Sequence, residues 1–405
     1  MGPALFALGL LALVLAIQVH APIRRPGELA ALLFAPAWLA GELPLHAALL
    51  FLIPGCVLAA LGALDSPLGL TGLVALLGSL GGHVASWRAA TVARAELARA
   101  LGRPVHGRLP LWRFALPFVF GDPHVEARPG ILREGEHLRA DLYLPRAPAT
   151  APRRLLVYVH GGGWVLGFRR FQGRLLMRRL VCDGWVCVSI QYRLSPRATW
   201  PAHIVDVQRA LAWVRSRAPT WSADPSRVAI SGNSAGGHLA TLAGLTDGLT
   251  DWTESGPTRP DAPRVSAIVS WYGIYDLVGA FERGGDWPHR ALARLWRLLV
   301  MKRSLAVARD AYRAASPVSH LAADAPPLLL IHGTHDSLVP IATARAFARH
   351  CEAIAPGRAT LLEVRGAQHA FDVFTSRRGL DAVEAAALWL DAQVPRAGTA
   401  PVVGA

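Results

Sequence analysis

A series of short apolar runs that begins after Val125 limits the possible folds more than any other feature. Each run is rich in Val, Ile or Leu, and most are separated by segments with helical periodicity. Strands this apolar must be covered on both faces, as parallel strands are in α/β proteins. The pattern predicts an α/β fold with a doubly wound, mostly parallel sheet and a functional site at the carboxyl ends of its strands. The predicted strands are Leu138–Leu144, Leu155–Val159, Trp185–Gln191, Val228–Ser231, Val265–Trp271, Leu328–Ile331 and Leu361–Val364, and the predicted helices are Ala202–Ser216, Ala235–Leu245, Ile341–Ala353 and Leu380–Leu390.

The first 86 residues hold most of the apolar excess of the chain. Hydrophobic residues make up 52% of the sequence and charged residues 17%, against about 25% charged residues in ordinary soluble proteins. Residues 2–19, 43–64 and 66–86 are three charge-free stretches, each long enough to cross a bilayer. Residues 29–41 are apolar but shorter, which suits a re-entrant or interfacial segment. We predict a membrane region over 1–86 with about three transmembrane helices; the alternative is a buried helical subdomain of a soluble protein.

The arginines beside these stretches predict the orientation. Arg24 and Arg25 follow the first stretch, and Arg88, Arg94 and Arg99 follow the last. With three spans, both groups lie on the cytoplasmic side, as the positive-inside rule favours. The prediction is a multi-pass membrane protein that contacts the lipid bilayer and has its α/β domain in the cytoplasm. Residues 87–122 are interpreted as a connector, 123–395 as the α/β domain and 396–405 as a disordered tail.

The motif Gly232-Asn233-Ser234-Ala235-Gly236 lies between a predicted strand and a predicted helix. In that context G-x-S-x-G forms a sharp turn that exposes the serine hydroxyl, and Gly232 and Gly236 tolerate the crowding beside it. The helix that follows directs its N-terminal amides at developing negative charge. Ser234 is therefore the predicted nucleophile.

A glycine run, His160-Gly161-Gly162-Gly163-Trp164, follows the strand Leu155–Val159. Such a run allows backbone N–H groups to approach a substrate, and acyl transfer needs donors of this kind for its tetrahedral oxyanion. A phosphate-binding loop is a poor interpretation, because no Lys-Ser/Thr pair follows. His160 is expected to brace the loop by hydrogen bonding.

A serine nucleophile needs a base, and the base needs a carboxylate to orient it. Asp336 and His369 each lie just past a predicted strand, in the chain order Ser, Asp, His that is typical of α/β-hydrolases. His369 is the predicted base and Asp336 the predicted acid. Asp372, three residues past His369, is interpreted as a local surface or capping acid.

Other classes of function have weaker support. The formal charge of +14 raises nucleic acid as a partner, but the basic residues are dispersed and are not combined with stacking aromatics, so no nucleic-acid partner is predicted. The four cysteines form no CxxC motif or Cys/His cluster, so no metal site is predicted. The expected mechanism needs no cofactor.

Residues 125–392 resemble the esterase/lipase branch of the α/β-hydrolase superfamily, in the hormone-sensitive-lipase-like group and the related acetyl- and feruloyl-esterase-like proteins. The resemblance rests on the HGGGW, GNSAGG, HGTHD and QHAF segments. It implies that the amides of Gly161, Gly162 and Ala235 form the oxyanion hole. One departure is Asn233, where many hormone-sensitive-lipase-like members have aspartate.

The predicted function is hydrolysis of a carboxylic ester, a small molecule or a lipid, through an acyl-enzyme on Ser234. The alternatives are an amidase, peptidase or acyltransferase with the same triad, and a non-catalytic membrane binding protein. Trp164, Tyr192 and Trp200 are candidate walls of the substrate pocket, with core packing as the alternative for each.

Overall fold

The structure is a computed structural model that describes residues 1–23, 28–107, 112, 115–117, 124–134, 138–247, 264–282 and 294–396. Within these residues, eight strands form one sheet in the order β1-β2-β4-β3-β5-β6-β7-β8. Strands β3 to β8 pair in parallel with one another. Strand β2 pairs antiparallel with its two neighbours, β1 and β4. The predicted mostly parallel α/β sheet is confirmed, and β1 was missed from the sequence. The strands are β1 Val125–Glu134, β2 Leu138–Pro145, β3 Arg153–Val159, β4 Val186–Gln191, β5 Ala223–Asn233, β6 Ala267–Trp271, β7 Leu328–Gly333 and β8 Ala359–Val364.

Eleven α-helices are described, four before the sheet and seven within or after it. A π-helical turn, Trp296–Met301, and four short 3-10 helices at Ala63–Asp65, Ala218–Trp221, Pro317–His320 and Phe371–Val373 complete the regular structure. The α-helices are α1 Gly2–His20, α2 Glu28–Glu42, α3 Pro44–Ala60, α4 Pro67–Leu101, α5 Arg174–Cys182, α6 Ala202–Arg217, α7 Ala235–Thr246, α8 Leu277–Glu282, α9 Arg309–Ala314, α10 Ile341–Ile354 and α11 Arg377–Gln393.

Both faces of the sheet are buried, and strand β3 shows how its side chains divide between them. Leu155, Val157 and Val159 belong to one hydrophobic core, while Leu156 and Tyr158 belong to the other. This alternation follows from the two-residue period of a β-strand. Helices α6, α7 and α10 contribute to the first core, and α4, α5 and α11 contribute to the second.

The N-terminal helices α1 and α4 run parallel to each other at close range. A Cβ atom on Gly9 would lie 2.1 Å from the carbonyl oxygen of Gly72, so glycine at this crossing allows the two backbones to touch. Small residues at such crossings are typical of helix pairs in membranes. Gly2 lies beside Ser66, and the His20 Nε2 atom is 2.8 Å from the Gly82 oxygen. The first turn of α1 therefore lies beside the first turn of α4, and the last turn of α1 lies beside a later turn of α4. The two helices run in the same direction.

Helices α1 and α4 are each long and apolar enough to cross a membrane, among the residues that the structure describes. The pair Phe34–Glu42 and Pro44–Ala60 passes the same test when taken together, but the two helices meet at a bend of 104°. The predicted stretch 43–64 therefore contains a 17-residue helix that joins an earlier helix at an angle. That bend is compatible with the re-entrant or interfacial interpretation of residues 29–41.

The predicted boundary between residues 86 and 87 lies inside α4, which continues to Leu101 without a break. The later turns of α4 belong to the catalytic core, because Ala93 and Leu97 are buried in the second hydrophobic core. Arg94 also forms an ion pair with Asp381 of α11 at 2.9 Å. One helix thus connects the apolar region directly to the sheet. Two predicted segments lie mainly outside the described residues. They are the part of the connector 87–122 that follows residue 107, and the tail beyond Arg396.

Candidate active site

Ser234 lies at a sharp turn between β5 and α7. Its backbone has φ 54° and ψ −118°, a conformation that is rare for a residue with a side chain. A Cβ on Gly232 would lie 2.3 Å from the Gly236 oxygen, and a Cβ on Gly236 would lie 2.1 Å from the Val159 oxygen. Larger residues at these two positions would push β5, α7 and β3 apart. The Ser234 N–H donates to the Trp271 oxygen at 2.8 Å, which attaches the turn to β6.

His369 lies beside Ser234, with Nε2 and Oγ 2.9 Å apart. On the other side of the ring, Nδ1 is 2.7 Å from Oδ2 of Asp336. With the Nδ1–H donating to the carboxylate, Nε2 is the acceptor for the serine hydroxyl. The three predicted triad residues are thus joined in one hydrogen-bonded chain across loops after β5, β7 and β8.

The carboxylate of Asp336 is buried and held from several directions. Its Oδ1 accepts the backbone N–H groups of Leu338 at 2.9 Å and Val339 at 2.7 Å. Burial alone would raise the pKa of Asp336, but the neighbouring rings of His369 and His332 hold that pKa well below its usual range. The carboxylate is therefore ionised and able to orient His369.

The glycine run lies against the nucleophile, because a Cβ on Gly161 would be 3.2 Å from the Ser234 Cβ. Gly162 and Gly163 have φ values of 118° and 61°, which glycine adopts without strain. Ala235 is the first residue of α7, so its N–H is among the helix amides that have no acceptor within the helix. Of the three amides that the resemblance assigns to the oxyanion hole, those of Gly161 and Ala235 therefore belong to backbone that borders Ser234, and Gly162 follows Gly161 directly.

The Gly161 amide is occupied in this structure. Its N–H donates to Oε1 of Gln172 at 2.6 Å. Gln172 lies on the loop that leads from the glycine run to α5, and no motif in the sequence marks it as part of the site. A substrate that needs the Gly161 amide must displace this side-chain oxygen.

His160 is fully buried and braces the glycine run from behind. Its Nδ1 is 2.8 Å from the Gly161 oxygen, and its Nε2 is 2.9 Å from Nε2 of Gln191. Its ring stacks on Tyr192 at a centroid distance of 4.5 Å. Burial lowers the pKa of His160 to about 4, so the ring is neutral at pH 7.

Two of the three candidate pocket residues are core residues. Trp164 is 0% exposed and Tyr192 1% exposed. Trp164 Nε1 donates to Nδ1 of His238 at 3.2 Å, and the Tyr192 hydroxyl donates to the His160 oxygen at 3.1 Å. Trp200 is half-buried, and Trp200 and Tyr192 are among the residues that line a cleft of about 880 Å³. Trp164 is therefore a core residue, as the alternative interpretation proposed. Trp200 is partly exposed to the cleft.

Asp372 is not on the surface, contrary to the interpretation from sequence. It is 4% exposed, and its Oδ2 accepts Nδ2 of Asn233 at 2.7 Å. The hydroxyl of Tyr272 donates to Oδ1 of the same carboxylate. Asp372 is buried because it lies in the 3-10 helix Phe371–Val373, whose three residues are all buried next to the His369 loop. Tyr272 was also missed, since it follows β6 without a recognisable motif.

Gln368 joins the two loops that carry the base and the acid. Its Oε1 accepts the backbone N–H of Ser337 at 2.7 Å and that of His369 at 3.0 Å. The QHAF segment was the sequence signal for this position, but the segment gave no indication that the glutamine side chain reaches the Asp336 loop.

A second serine–histidine pair lies elsewhere in the catalytic region. Ser195 Oγ is 3.1 Å from Nε2 of His203, and both residues are buried. The Nδ1 of His203 is buried, and no group in the described part of the chain hydrogen-bonds to it. Because this pair has no orienting carboxylate, it does not form a triad.

The sequence and the fold of this chain are similar to those of known proteins. LipM of Mycobacterium tuberculosis, a probable carboxylic ester hydrolase, is 41% identical over 258 residues, which cover 62% of this chain and 58% of that protein. The esterase LipC of the same organism is 36% identical and covers 62% of this chain and 61% of its own length. The chain thus spans about three fifths of the length of these curated relatives. The butyrate-bound structure of the thermophilic esterase Est2 from Thermogutta terrifontis aligns with a TM-score of 0.55 at 25% identity, covering 69% of this chain and 97% of that one.

The family comparison agrees with the fold and with the motifs around Ser234. The BD-FAE family model matches residues 140–350, just over half of the chain, from β2 through most of α10. The chain therefore belongs to the BD-FAE family, within the esterase/lipase branch of the α/β-hydrolases.

Proposed function

We propose that the protein is a serine hydrolase that cleaves carboxylic esters through an acyl-enzyme on Ser234. The observation that carries the proposal is the continuous hydrogen-bonded chain from Ser234 through His369 to Asp336. The similarity to LipM and LipC supports an ester as the substrate class. The proposed substrate is a small-molecule ester, and a lipid ester is the narrower form of the same proposal.

In the proposed reaction, Ser234 Oγ attacks the ester carbonyl carbon while His369 Nε2 takes the hydroxyl proton. The ionised Asp336 stabilises the imidazolium that results. His369 then gives the proton to the leaving alcohol as the ester C–O bond breaks. Water, deprotonated by His369, attacks the acyl-enzyme and releases the carboxylic acid.

The negative charge that develops on the carbonyl oxygen would be held by the amides of Gly161, Gly162 and Ala235. Each such donor typically contributes about 2.7–4 kcal/mol to transition-state stabilisation. The amide of Gly161 becomes available when Gln172 moves aside, so substrate binding and this displacement are coupled.

The proposed nucleophile can be tested against the second serine–histidine pair. Ser234→Ala should abolish hydrolysis of p-nitrophenyl butyrate and labelling by a fluorophosphonate probe. Ser195→Ala should retain most of both activities, since Ser195 has no part in the proposed chain. Retained activity in Ser234→Ala would contradict the mechanism. A panel of ester, amide and lipid substrates with the detergent-solubilised protein would then separate an esterase from an amidase or acyltransferase.

We also propose that the chain is a multi-pass membrane protein with three crossings, α1, α3 and α4, and with its catalytic domain in the cytoplasm. The parallel arrangement of α1 and α4 supports this topology, because the chain must cross back between them. Helix α3 makes that return and is about 26 Å long at 1.5 Å per residue. Helix α2 then lies on the catalytic side. In this proposal the membrane region extends to about residue 86 of α4.

Cysteine accessibility in intact cells tests the topology. In a background with Cys56 and Cys182 replaced by serine, Asp65→Cys should react with a membrane-impermeant maleimide from outside. Arg396→Cys should react only after the cells are permeabilised. Reaction of Arg396→Cys in intact cells would reverse the proposed orientation.

A further inference from the structure

A second buried carboxylate lies directly beneath the proposed base. Asp372, Asn233 and Tyr272 are 4%, 0% and 0% exposed, and each comes from a different segment of the chain around the active site. Asn233 precedes the nucleophile, Tyr272 follows β6, and Asp372 lies in the loop that carries His369. The three side chains therefore connect the parts of the chain that must stay in register for proton transfer.

The hydrogen bonds among these residues form a closed triangle. Asn233 Nδ2 has two hydrogens, of which one is donated to Asp372 Oδ2 at 2.7 Å and the other to the Tyr272 hydroxyl. The Tyr272 hydroxyl donates its own hydrogen to Asp372 Oδ1. Every donor thus has an acceptor, and both carboxylate oxygens are bonded. The Asn233 Oδ1 atom is buried and accepts no hydrogen bond from the described residues, but the three bonds of the triangle hold the three side chains together in the low-dielectric interior.

Tyr272 also contacts the base itself. Its ring centroid is 4.5 Å from that of His369, with the planes inclined at 58°. Tyr272 has φ 41°, an unfavourable backbone conformation for a residue with a side chain, and its N–H donates to the Ile331 oxygen at 2.7 Å. Strained residues persist where their surroundings hold them, and they are frequent at functional sites. The Tyr272 ring is therefore a fixed support for the imidazole of His369.

The residue at position 233 must match the charge at position 372. An aspartate at 233, as in many hormone-sensitive-lipase-like proteins, would place two carboxylates in direct contact here, and one would have to be protonated. Asparagine supplies two N–H hydrogens at the place where aspartate would supply a second acceptor oxygen. The presence of Asn233, where many similar proteins have aspartate, is thus explained by the neighbouring carboxylate of Asp372.

We propose that Asp372 is a positioning residue, which fixes the His369 ring through Tyr272 and the nucleophile turn through Asn233. This inference rests on the proposed function of Ser234 and His369. Burial raises the pKa of Asp372 above its usual value, and the hydrogen bonds from Tyr272 and Asn233 offset only part of this rise.

The test is an exchange of the two side chains in the full-length, detergent-solubilised protein. Asp372→Asn would place two amides in contact without the charge, and Asn233→Asp would place two carboxylates in contact. Each single variant should lower kcat for p-nitrophenyl butyrate at least tenfold and change KM less than twofold. The double variant N233D/D372N has the carboxylate at position 233 and the amide at position 372, so one amide again faces one carboxylate. Its kcat should return to within about threefold of the wild-type value. Tyr272→Phe keeps the ring but removes its hydroxyl, and should lower kcat less than Asp372→Asn does.

Thermal unfolding measured on each variant separates positioning from folding. If Asp372→Asn does not fold, the double variant carries the test through its comparison with Asn233→Asp. Recovery of kcat in the double variant supports the proposal. A folded Asp372→Asn with wild-type kcat, or a folded double variant no more active than the weaker single variant, overturns it. An inert wild-type protein would overturn the proposed function together with this inference, whereas an active wild-type protein with a fully active Asp372→Asn variant overturns the inference alone.

Discussion

The Nδ1 atom of His335 donates a hydrogen bond to the carbonyl oxygen of Val19 at 3.0 Å. His335 precedes the proposed acid Asp336, and Val19 lies in the last turn of the first apolar helix. The base loop is held in a similar way, since Trp38 Nε1 donates to the Ala370 oxygen at 3.2 Å. The apolar region therefore contacts both loops that orient the nucleophile, and it is more than an anchor for a separate catalytic unit.

Arg378 provides the most direct test of this attachment. It is 3% exposed, and its guanidinium donates to the backbone oxygens of Gly41 and Ser86 at 2.9 Å each. Arg378→Ala would leave both oxygens buried without these donors, and we expect it to destabilise the protein by about 3 kcal/mol or more. Thermal unfolding in detergent measures the loss, and limited proteolysis should cut more readily between α4 and β1.

The matched control is Arg365→Ala, which removes an exposed ion pair with Glu96. Pairs of this kind contribute about 0–1 kcal/mol, so this variant should unfold at nearly the wild-type temperature. Equal stability of the two variants would show that the Arg378 contacts do not hold the helices in place.

Gly161→Ala should remove most of the hydrolytic activity. A Cβ at this position would lie 2.5 Å from the Asn233 oxygen and 3.2 Å from the Ser234 Cβ, so the glycine run must move away from the nucleophile. Loss of one oxyanion donor lowers kcat by about 100-fold to 1,000-fold, and we expect a loss in this range for p-nitrophenyl butyrate. Gly357→Ala, at φ 71° with open space around it, should reduce stability by about 1 kcal/mol and leave kcat unchanged. Activity retained in Gly161→Ala would place the oxyanion elsewhere.

Gln172→Ala should increase activity. The side-chain oxygen of Gln172 occupies the Gly161 amide at 2.6 Å, and a substrate oxygen must replace it. Removing a competing hydrogen bond of about 0.5–1.5 kcal/mol should raise kcat/KM by roughly 2-fold to 10-fold. Gln172→Glu should have the reverse effect, because a carboxylate accepts from an amide more strongly. A decrease in Gln172→Ala would instead indicate that Gln172 supports the loop.

Stability should fall in mild acid because of three buried histidines. Burial lowers the pKa of His160 and His238 to about 4 and that of His203 to about 3. In the unfolded chain these groups titrate near 6.5, so below that pH the unfolded state binds more protons than the native state. The free energy of unfolding should therefore decrease as the pH falls from 6.5 toward 4, by up to about 1.4 kcal/mol per pH unit for each histidine.

Thermal unfolding between pH 7.5 and pH 4.5 measures this dependence. His203→Gln keeps a group able to bond Ser195 but does not titrate, so it should flatten the pH dependence by about one third. Identical slopes for the wild type and this variant would exclude His203 as a contributor.

Much of the fold, and the convergence of Ser234, Asp336 and His369, could be predicted because both depend on patterns in short stretches of sequence. Parallel strands buried on both faces need continuous apolar runs, and their carboxyl ends meet at one edge of the sheet, so Ser234, Asp336 and His369 were predicted to converge from their places after three such runs. The sharp turn at Ser234 likewise needs Gly232 and Gly236 beside it. These requirements act over a few consecutive residues and leave a visible pattern.

Other features depended on contacts between distant segments, and only the tertiary structure decided them. Asp372 is buried because Asn233, 139 residues earlier, and Tyr272 provide its donors, and a single acid in a loop carries no sign of this. Gln172 reaches Gly161 because the loop folds back on itself, and α4 joins two regions because its later turns pack against α11. The geometry of the whole fold determines side-chain partners of this kind. A buried polar group needs a hydrogen-bond partner, and that partner can come from any segment that the fold places within hydrogen-bonding distance.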